Sequence, residues 1–391
     1  MLWNMTHLAL SFTVLCALLV TLHVISAAVT IAKCRHRPAR GTLAQCALRV
    51  SIVRPVCGLE AAERLTLAST FRLDLPRAEL LFCCRAPDDP AIPYLQSLID
   101  AHPLIDARIL VGDDLGSDNP KLNNMTKGWR AATGDWIIFA DSNLDLPRDY
   151  ITRVLAAWQR DTGVVCAPPI GSAPIGFWAE VECGFLNTYQ ARWQYTAEAV
   201  GLGFAQGKTM LWRRADLDTW GGTAALARDL AEDAAATKLV RSNGHKVRLA
   251  SPPFMQPLGY RTASQVIGRQ LRWAQLRRLS FPAFFIPEIL TGMVPMAAAG
   301  ATAAALMDGE PILAGALLCA LWLSTEAIMA WSLGWRLSWQ SPLAWIVRDF
   351  LLPVIWARAW IADGYAWRGN SVSARASRGL VASLTRRASA T

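Results

Sequence analysis

Apolar residues dominate both ends of this chain, and apolar and polar stretches alternate between them. From Leu8 to Ala32 the sequence is apolar, with His23 as the main interruption. This run is too long for the core of a signal peptide and long enough to cross a bilayer. Lys33, Arg35, Arg37 and Arg40 follow it. That positive cluster predicts a cytoplasmic exit, with the N-terminus outside. Between about 48 and 280, short apolar runs end in turn or acidic residues: LRVSIVRP, AELLFCC, ARILVGDD, GDWIIFADS and GVVCAPP. Helix-period segments such as AIPYLQSLIDAH and PRDYITRVLAAWQR separate them. The alternation predicts an α/β domain built on a parallel sheet, with functional residues at the carboxyl ends of the strands.

Near 281 the pattern turns apolar again. Phe284–Leu306, a short acidic turn at Met307–Glu310, and Pro311–Leu333 predict a transmembrane hairpin. Leu343–Ile361 is also apolar but contains Arg348, Asp349 and Arg358. If it crossed the membrane, Arg368, Arg375, Arg378, Arg386 and Arg387 would lie outside, against the positive-inside rule. It is therefore read as an interfacial or re-entrant helix. Asp349 is open to two readings, a functional group or a local partner of arginine. The expected organisation is an anchor over 1–33, an α/β domain over 48–280, a membrane region over 284–361 and a basic flexible tail over 364–391.

Composition narrows the class. The 391 residues are 53% hydrophobic and 18% charged, and the mean hydropathy is +0.25. Soluble chains carry about 25% charged residues, so this is a membrane protein. Seventeen Trp against six Tyr suits a bilayer interface. The formal charge of +9 lies largely beside the apolar spans. Anionic lipid head groups and nucleotide phosphates are thus the expected partners, rather than nucleic acid. The nine Cys and five His show no zinc-ligand spacing. Cysteines within the α/β part suit a reducing, cytoplasmic setting.

Acidic motifs stand in order along the α/β part: RAPDDP at 85–90, FADSNLDLP at 139–147 and LAEDAAATKLV at 230–240. The box RQLRW follows at 269–273. Asp141 ends a strand-like run, where its carboxylate could hold Mg²⁺ or Mn²⁺ against a leaving diphosphate. Asn143 offers a neutral oxygen beside it, and Asp145 could add charge. The plain alternative is that Asp141 caps the turn before a helix near Pro147. Asp89 is assigned to donor binding, with Asp88 as helix cap or helper before Pro90. Asp233 is the candidate base for an acceptor hydroxyl, with Glu232 as its rival, although helix starts favour both acids for their own sake. A single base opposite the leaving group implies in-line attack with inversion. Arg269 and Arg272 share a helical face and suit a diphosphate, and Trp273 suits a sugar ring. Juxtamembrane charge and an interfacial anchor are the bland readings of that box. Lys121 is a donor-phosphate candidate, and Gly207–Lys208 are placed on the acceptor side. The GKT triplet there lacks the upstream glycine of a phosphate-binding loop.

The order and content of these motifs resemble the ceramide glucosyltransferases, with SIVRPVCGLE, DDPAI, DARILVGDD, NPKLNN and GWRAATGDWIIFADSN adding to the likeness. The stretch GFWAEVECGFLNTYQARWQYTAEAVGLGFAQGKTMLW looks bacterial in type. The resemblance implies a GT-A (Rossmann-like) domain and transfer of glucose from UDP-glucose to ceramide on the cytosolic face of a bacterial inner membrane. It matches the three family aspartates to Asp89, Asp141 and Asp233, and the Arg–Trp box to Arg269, Arg272 and Trp273. Ala86 stands where members often carry an acid, and a histidine of animal members is replaced near Gln190, an acceptor-side position. Transfer of N-acetylglucosamine or hexose to another hydroxylated lipid, such as a hopanoid or diacylglycerol, is the alternative. A non-catalytic membrane scaffold is the competing class.

Overall fold

Strands buried on both faces build the centre of this protein. In the computed structural model, residues 2–36, 48–74, 78–112, 116–117, 119–361, 364–367 and 370–373 are described. They divide into two compact units. One comprises Lys33–Ala173 with Gln194–Gly259, and the other Met1–Ala32, Pro174–Trp193 and Tyr260–Thr391. The stretch 48–280, expected as one domain, is therefore interrupted: Pro174–Trp193 and the chain from Tyr260 onward belong to the second unit.

The first unit holds a sheet of β1 (Val50–Val56), β2 (Ala78–Cys84), β3 (Ala107–Val111), β4 (Trp136–Ala140), β5 (Thr162–Cys166), β7 (Thr209–Arg213) and β8 (Lys246–Leu249). Its order is β3-β2-β1-β4-β7-β5-β8, while β6 (Pro169–Ile175) and β9 (Phe254–Tyr260) pair separately. β4, WIIFA, is buried at every position, as a continuous apolar run requires when both faces of a sheet are covered. β1 runs parallel to β2 and β4, but β7 runs antiparallel to β4 and β5. The sheet is thus mostly parallel, as expected, and mixed only through β7. The segment TMLWR, which is not among the strand-like runs read from the sequence, is the strand responsible.

Helices cover this sheet. α2 (Ala61–Ser69), α3 (Ala91–Ala101) and α5 (Tyr150–Ala156) contribute Leu67, Leu95, Tyr150 and Val154 to the main apolar core with Ile52, Phe82 and Ile138. α4 (Pro120–Ala131) packs on β1 and β2 through Gly128, where an added Cβ would lie 2.2 Å from Val53 Cγ1. α5 begins at Tyr150, not near Pro147. The short α8 (Arg214–Thr219) and α9 (Gly222–Ala225) lead to α10 (Glu232–Ser242).

The second unit contains most of α1 (Leu2–Arg35), α6 (Phe177–Gly184), a π-helix at Phe185–Ala191 and the start of α7 (Arg192–Ala199). It also contains α11 (Ala263–Ser280), α12 (Pro282–Phe285), α13 (Met293–Leu306), α14 (Pro311–Leu333) and α15 (Ser341–Ile361). Among the described residues, two helices, Met5–Arg35 and Pro311–Leu333, are long and apolar enough to cross a membrane. A third span exists only if Pro282–Leu290 and Met293–Leu306, bent by 51°, count as one. The first arm of the expected hairpin is therefore not one straight helix. Its break falls at Thr291–Gly292, where Gly292 is extended. Arg37 and Arg40 lie outside the described residues. The segment expected as a flexible tail holds a hairpin of β10 (Gly364–Trp367) and β11 (Asn370–Ser373). Its five arginines, from Arg368 to Arg387, lie outside the described residues.

Arg348 and Asp349 of α15 are answered by nearby groups, whereas Arg358 is exposed. Arg348 and Asp349 are fully buried. Arg348 donates to both carboxylate oxygens of Glu326 at 3.0 Å, to Asp349 at 2.8 Å and to Thr188 at 2.7 Å. A buried arginine with several oxygen partners avoids the cost of an isolated charge. His23, the interruption in α1, stacks on Trp322 with ring centroids 3.5 Å apart and meets Arg192 at 2.5 Å.

Candidate active site

The polar site grows from the carboxyl end of β4. Because β7 is antiparallel, its beginning lies beside that end: Ala140 pairs with Thr209, and the Asp141 N–H donates to the Lys208 carbonyl at 3.0 Å. The same register sets the two side chains together. Lys208 Nζ donates to Asp141 Oδ2 at 2.8 Å and to Asn143 Oδ1 at 3.0 Å. Lys121 Nζ takes the other oxygen, Asp141 Oδ1, at 2.8 Å.

Lys121 is delivered by the start of α4. Asn119 caps that helix, its side chain accepting from the N–H groups of Lys121 and Leu122, with Pro120 at the first helical position. Lys121 Nζ also reaches Glu232 Oε1 at 2.8 Å and the Gly207 carbonyl at 2.7 Å. Glu232 Oε2 accepts from Asn119 Nδ2 at 2.9 Å. Glu232 is thus engaged at both oxygens, whereas among the described residues Asp233 meets only main-chain donors: Gly207 N at 3.2 Å and Ala234 N at 2.8 Å. Thr237 ties the 205–207 segment to α10, accepting from Ala205 N at 2.9 Å. A Cβ at Gly207 would lie 2.8 Å from Glu232 Oε1 and 3.0 Å from Lys121 Nζ, so the ends of these two side chains would have to move aside.

The electrostatics separate the carboxylates. Burial acts to raise Asp141, but the Lys121 and Lys208 ammonium groups outweigh it and hold this carboxyl well below its usual range. Burial also acts against the Lys121 charge, and Asp141 with Glu232 more than compensates, raising its pKa. Asp233 moves the other way. Burial, then the neighbouring Glu232 charge, pushes it up to about 6. One acid stays ionised and another sits close to neutral pH, the separation expected where acid and base roles are divided.

Beneath the site, Arg54 is fully buried. Its guanidinium donates to the carbonyls of Asp141 at 2.7 Å, Ser142 at 3.0 Å, Leu144 at 2.9 Å and Thr66 at 2.7 Å. It fixes the turn that carries Asp141 and Asn143. Sequence reading passed over Arg54, although an arginine inside the apolar run SIVRPV was a signal that carbonyls needed a buried donor. It also passed over Asn119.

Asp145 does not join Asp141; its carboxylate lies 3.7 Å from Arg72. Asp89 accepts from Gly58 N at 3.0 Å and Ala91 N at 2.9 Å, so the helix-start bond expected of Asp88 comes from Asp89. In the other unit, Arg269 pairs with the buried Glu182, and Gln190 donates to Gln270 at 2.8 Å. Arg272 and Trp273 are half-buried on α11.

Among the described residues no group of three or more His, Cys, Asp or Glu converges as a metal cluster. The narrower set does suit a hard cation. Asp141 Oδ2 and Asn143 Oδ1 converge on one cationic atom, Lys208 Nζ, and both are oxygen donors of the kind Mg²⁺ and Mn²⁺ take alongside water and phosphate.

Among solved structures, the chain is similar to the mannosyltransferase PcManGT from Pyrobaculum calidifontis. The TM-score is 0.49 at 17% identity, over 90% of this chain and 99% of that one. Among curated proteins it is 27% identical over 328 residues to ceramide glucosyltransferase 1 of Caenorhabditis elegans, covering 82% of this chain and 70% of that protein. It is 27% identical over 287 residues to a ceramide glucosyltransferase of Komagataella phaffii, covering 59% and 56%. The sequence profile of glycosyl transferase family 21 matches residues 15–379. A match running from the first apolar helix through the acidic motifs to the last helix shows that this α/β protein is a glycosyltransferase and belongs to glycosyl transferase family 21.

Proposed function

We propose that this protein transfers glucose, or another hexose, from a UDP-sugar to the primary hydroxyl of ceramide, inverting the anomeric centre to give a β-glycosylceramide. The observation that carries the reading is that Lys121 Nζ joins Asp141, at the end of β4, to Glu232 and the Gly207 carbonyl, with Asp233 beside them accepting from Gly207 N. Asp141 is held ionised by Lys121 and Lys208, and Asp233 is displaced to about 6. Family membership and the names of the curated relatives support the lipid acceptor.

In this reading Asp233 takes the proton of the acceptor hydroxyl as that oxygen attacks the anomeric carbon. The bond to the diphosphate breaks on the opposite face. Lys121 and Lys208 supply positive charge for the departing diphosphate. Asp141 and Asn143 would hold Mg²⁺ or Mn²⁺, which supplies Lewis-acid stabilisation of the leaving group when bound. Asp89, Arg269, Arg272 and Trp273 retain donor-binding roles and Gln190 an acceptor-side role on the strength of the resemblance; Gly207 stays on the acceptor side, while Lys208, expected there too, is reassigned to the diphosphate because it bonds Asp141 and Asn143. The helices apolar enough to span, and Lys33 with Arg35 at the end of α1, support an integral membrane enzyme with its α/β unit in the cytoplasm, and the resemblance to bacterial members makes that membrane the bacterial inner one.

The test is a transfer assay on the purified, detergent-solubilised protein. UDP-glucose, UDP-galactose and UDP-N-acetylglucosamine are each offered with ceramide, diacylglycerol and a polyhydroxylated hopanoid, and lipid products are identified by mass spectrometry. A β-hexosylceramide supports the proposal and identifies the donor. Product only on another lipid replaces the acceptor. Absence of both transfer and donor hydrolysis in folded protein overturns the catalytic reading.

A further inference from the structure

We infer that Lys208 is a built-in competitor of the divalent cation, so that metal and donor diphosphate enter this site as a coupled pair. The inference rests on the proposed role of Asp141 and Asn143 as metal-holding residues. Lys208 Nζ lies 2.8 Å from Asp141 Oδ2 and 3.0 Å from Asn143 Oδ1, the two oxygens a cation would need. Its place is set by the backbone, through the β4–β7 register and the hydrogen bond from Asp141 N to the Lys208 carbonyl. Lys121 covers the remaining Asp141 oxygen at 2.8 Å. Each carboxylate oxygen therefore already carries an ammonium group.

The charge balance decides which visitor is welcome. Asp141 and Glu232 face Lys121 and Lys208, so these four groups are neutral together. A divalent cation alone adds positive charge beside two ammonium groups, in a site with little water to screen it. A divalent cation together with a sugar diphosphate adds almost no net charge. The diphosphate also gives Lys208 another anion to bind, which releases Asp141 Oδ2 and Asn143 Oδ1. Lys208 thereby couples the two ligands without changing the fold.

The experiment measures Mn²⁺ binding by the electron paramagnetic resonance signal of the free ion, on the full-length protein in detergent, with and without UDP. In wild type, UDP is expected to tighten Mn²⁺ by about tenfold or more, and Mn²⁺ to tighten UDP equally, because such coupling is reciprocal. Lys208→Met should bind Mn²⁺ alone about tenfold more tightly and lose most of the coupling. Lys208→Arg should behave as wild type. If Lys208→Met proves unfolded by its melting curve, Lys208→Gln is measured in its place. Unchanged or weaker binding of Mn²⁺ alone by the neutral variant, with Asp141→Asn abolishing binding, overturns this inference and leaves the metal reading standing. Wild type that binds UDP but no Mn²⁺ under either condition overturns both.

Discussion

Lys208 and Asp141 are 67 residues apart in the chain, yet their charged atoms lie 2.8 Å apart. They meet because β7 runs against β4, which brings the residue before one strand beside the residue after the other. A parallel strand in that position would present its end there, and Lys208 would fall at the opposite edge of the sheet. The direction of one strand thus decides the charge at the site.

Asp233→Asn is expected to fold, bind the donor and lose transfer. Removal of a general base lowers turnover by about 10²–10⁴-fold. The check is kcat and KM for donor and acceptor beside a thermal melt. Turnover near wild type would remove Asp233 from the base role and leave Glu232, which is bonded to Lys121 and Asn119, as the acid to test next.

The acid limb of the pH profile should report Asp233. The base works only when deprotonated, and burial with the Glu232 charge raises its pKa to about 6. Activity should therefore fall as pH drops through about 6. Glu232→Gln removes a raising influence, so the limb should move to lower pH. A limb that stays in place in this variant would count against the assignment.

Two glycines should give opposite outcomes when changed to alanine. At Gly207 the new Cβ meets the flexible ends of Glu232 and Lys121, which can move aside. Gly207→Ala should keep its melting temperature within a few degrees of wild type and lose donor affinity. At Gly128 the Cβ meets Val53 Cγ1 at 2.2 Å and Cys83 Sγ at 3.0 Å, inside a packed layer. Overpacking of this kind costs ~1–3 kcal/mol, so Gly128→Ala should melt clearly lower. Equal melting of the two variants would contradict the packing described.

Arg54→Met should be strongly destabilising. It removes the guanidinium donor from the carbonyls of Thr66, Asp141, Ser142 and Leu144, of which the first three keep a second donor in Ser69 Oγ, Leu144 N and Thr66 Oγ1. The Leu144 carbonyl left unpaired costs ~1–3 kcal/mol, and the weakened bonding of the other three adds to it. Arg54→Lys, which lacks the planar fork, should recover little. Denaturant unfolding of the solubilised protein checks both, and a wild-type midpoint in the Met variant would refute the role.

The strands β1 to β5 were legible because each is a short apolar run ending in turn or acidic residues, a local pattern that needs no partner to be read. The first apolar helix, Pro311–Leu333 and the acidic turn before it were legible for the same reason. The order of Asp89, Asp141, Asp233 and the Arg–Trp box carried the family. What the sequence by itself could not determine were relations between distant segments. Hydrophobic period is the same for a strand running either way, so β7 as an antiparallel insertion was invisible, and with it the Lys208–Asp141 contact. The break at Thr291–Gly292 was hidden by unbroken apolar composition. Asp349 as a local partner of arginine was legible, but Glu326 and Thr188 lie on other helices, and only packing could say that they join Asp349 around Arg348. Local period and motif order reside in neighbouring residues, whereas strand direction, ion pairing and the tuning of Asp233 depend on what the folded chain brings beside them.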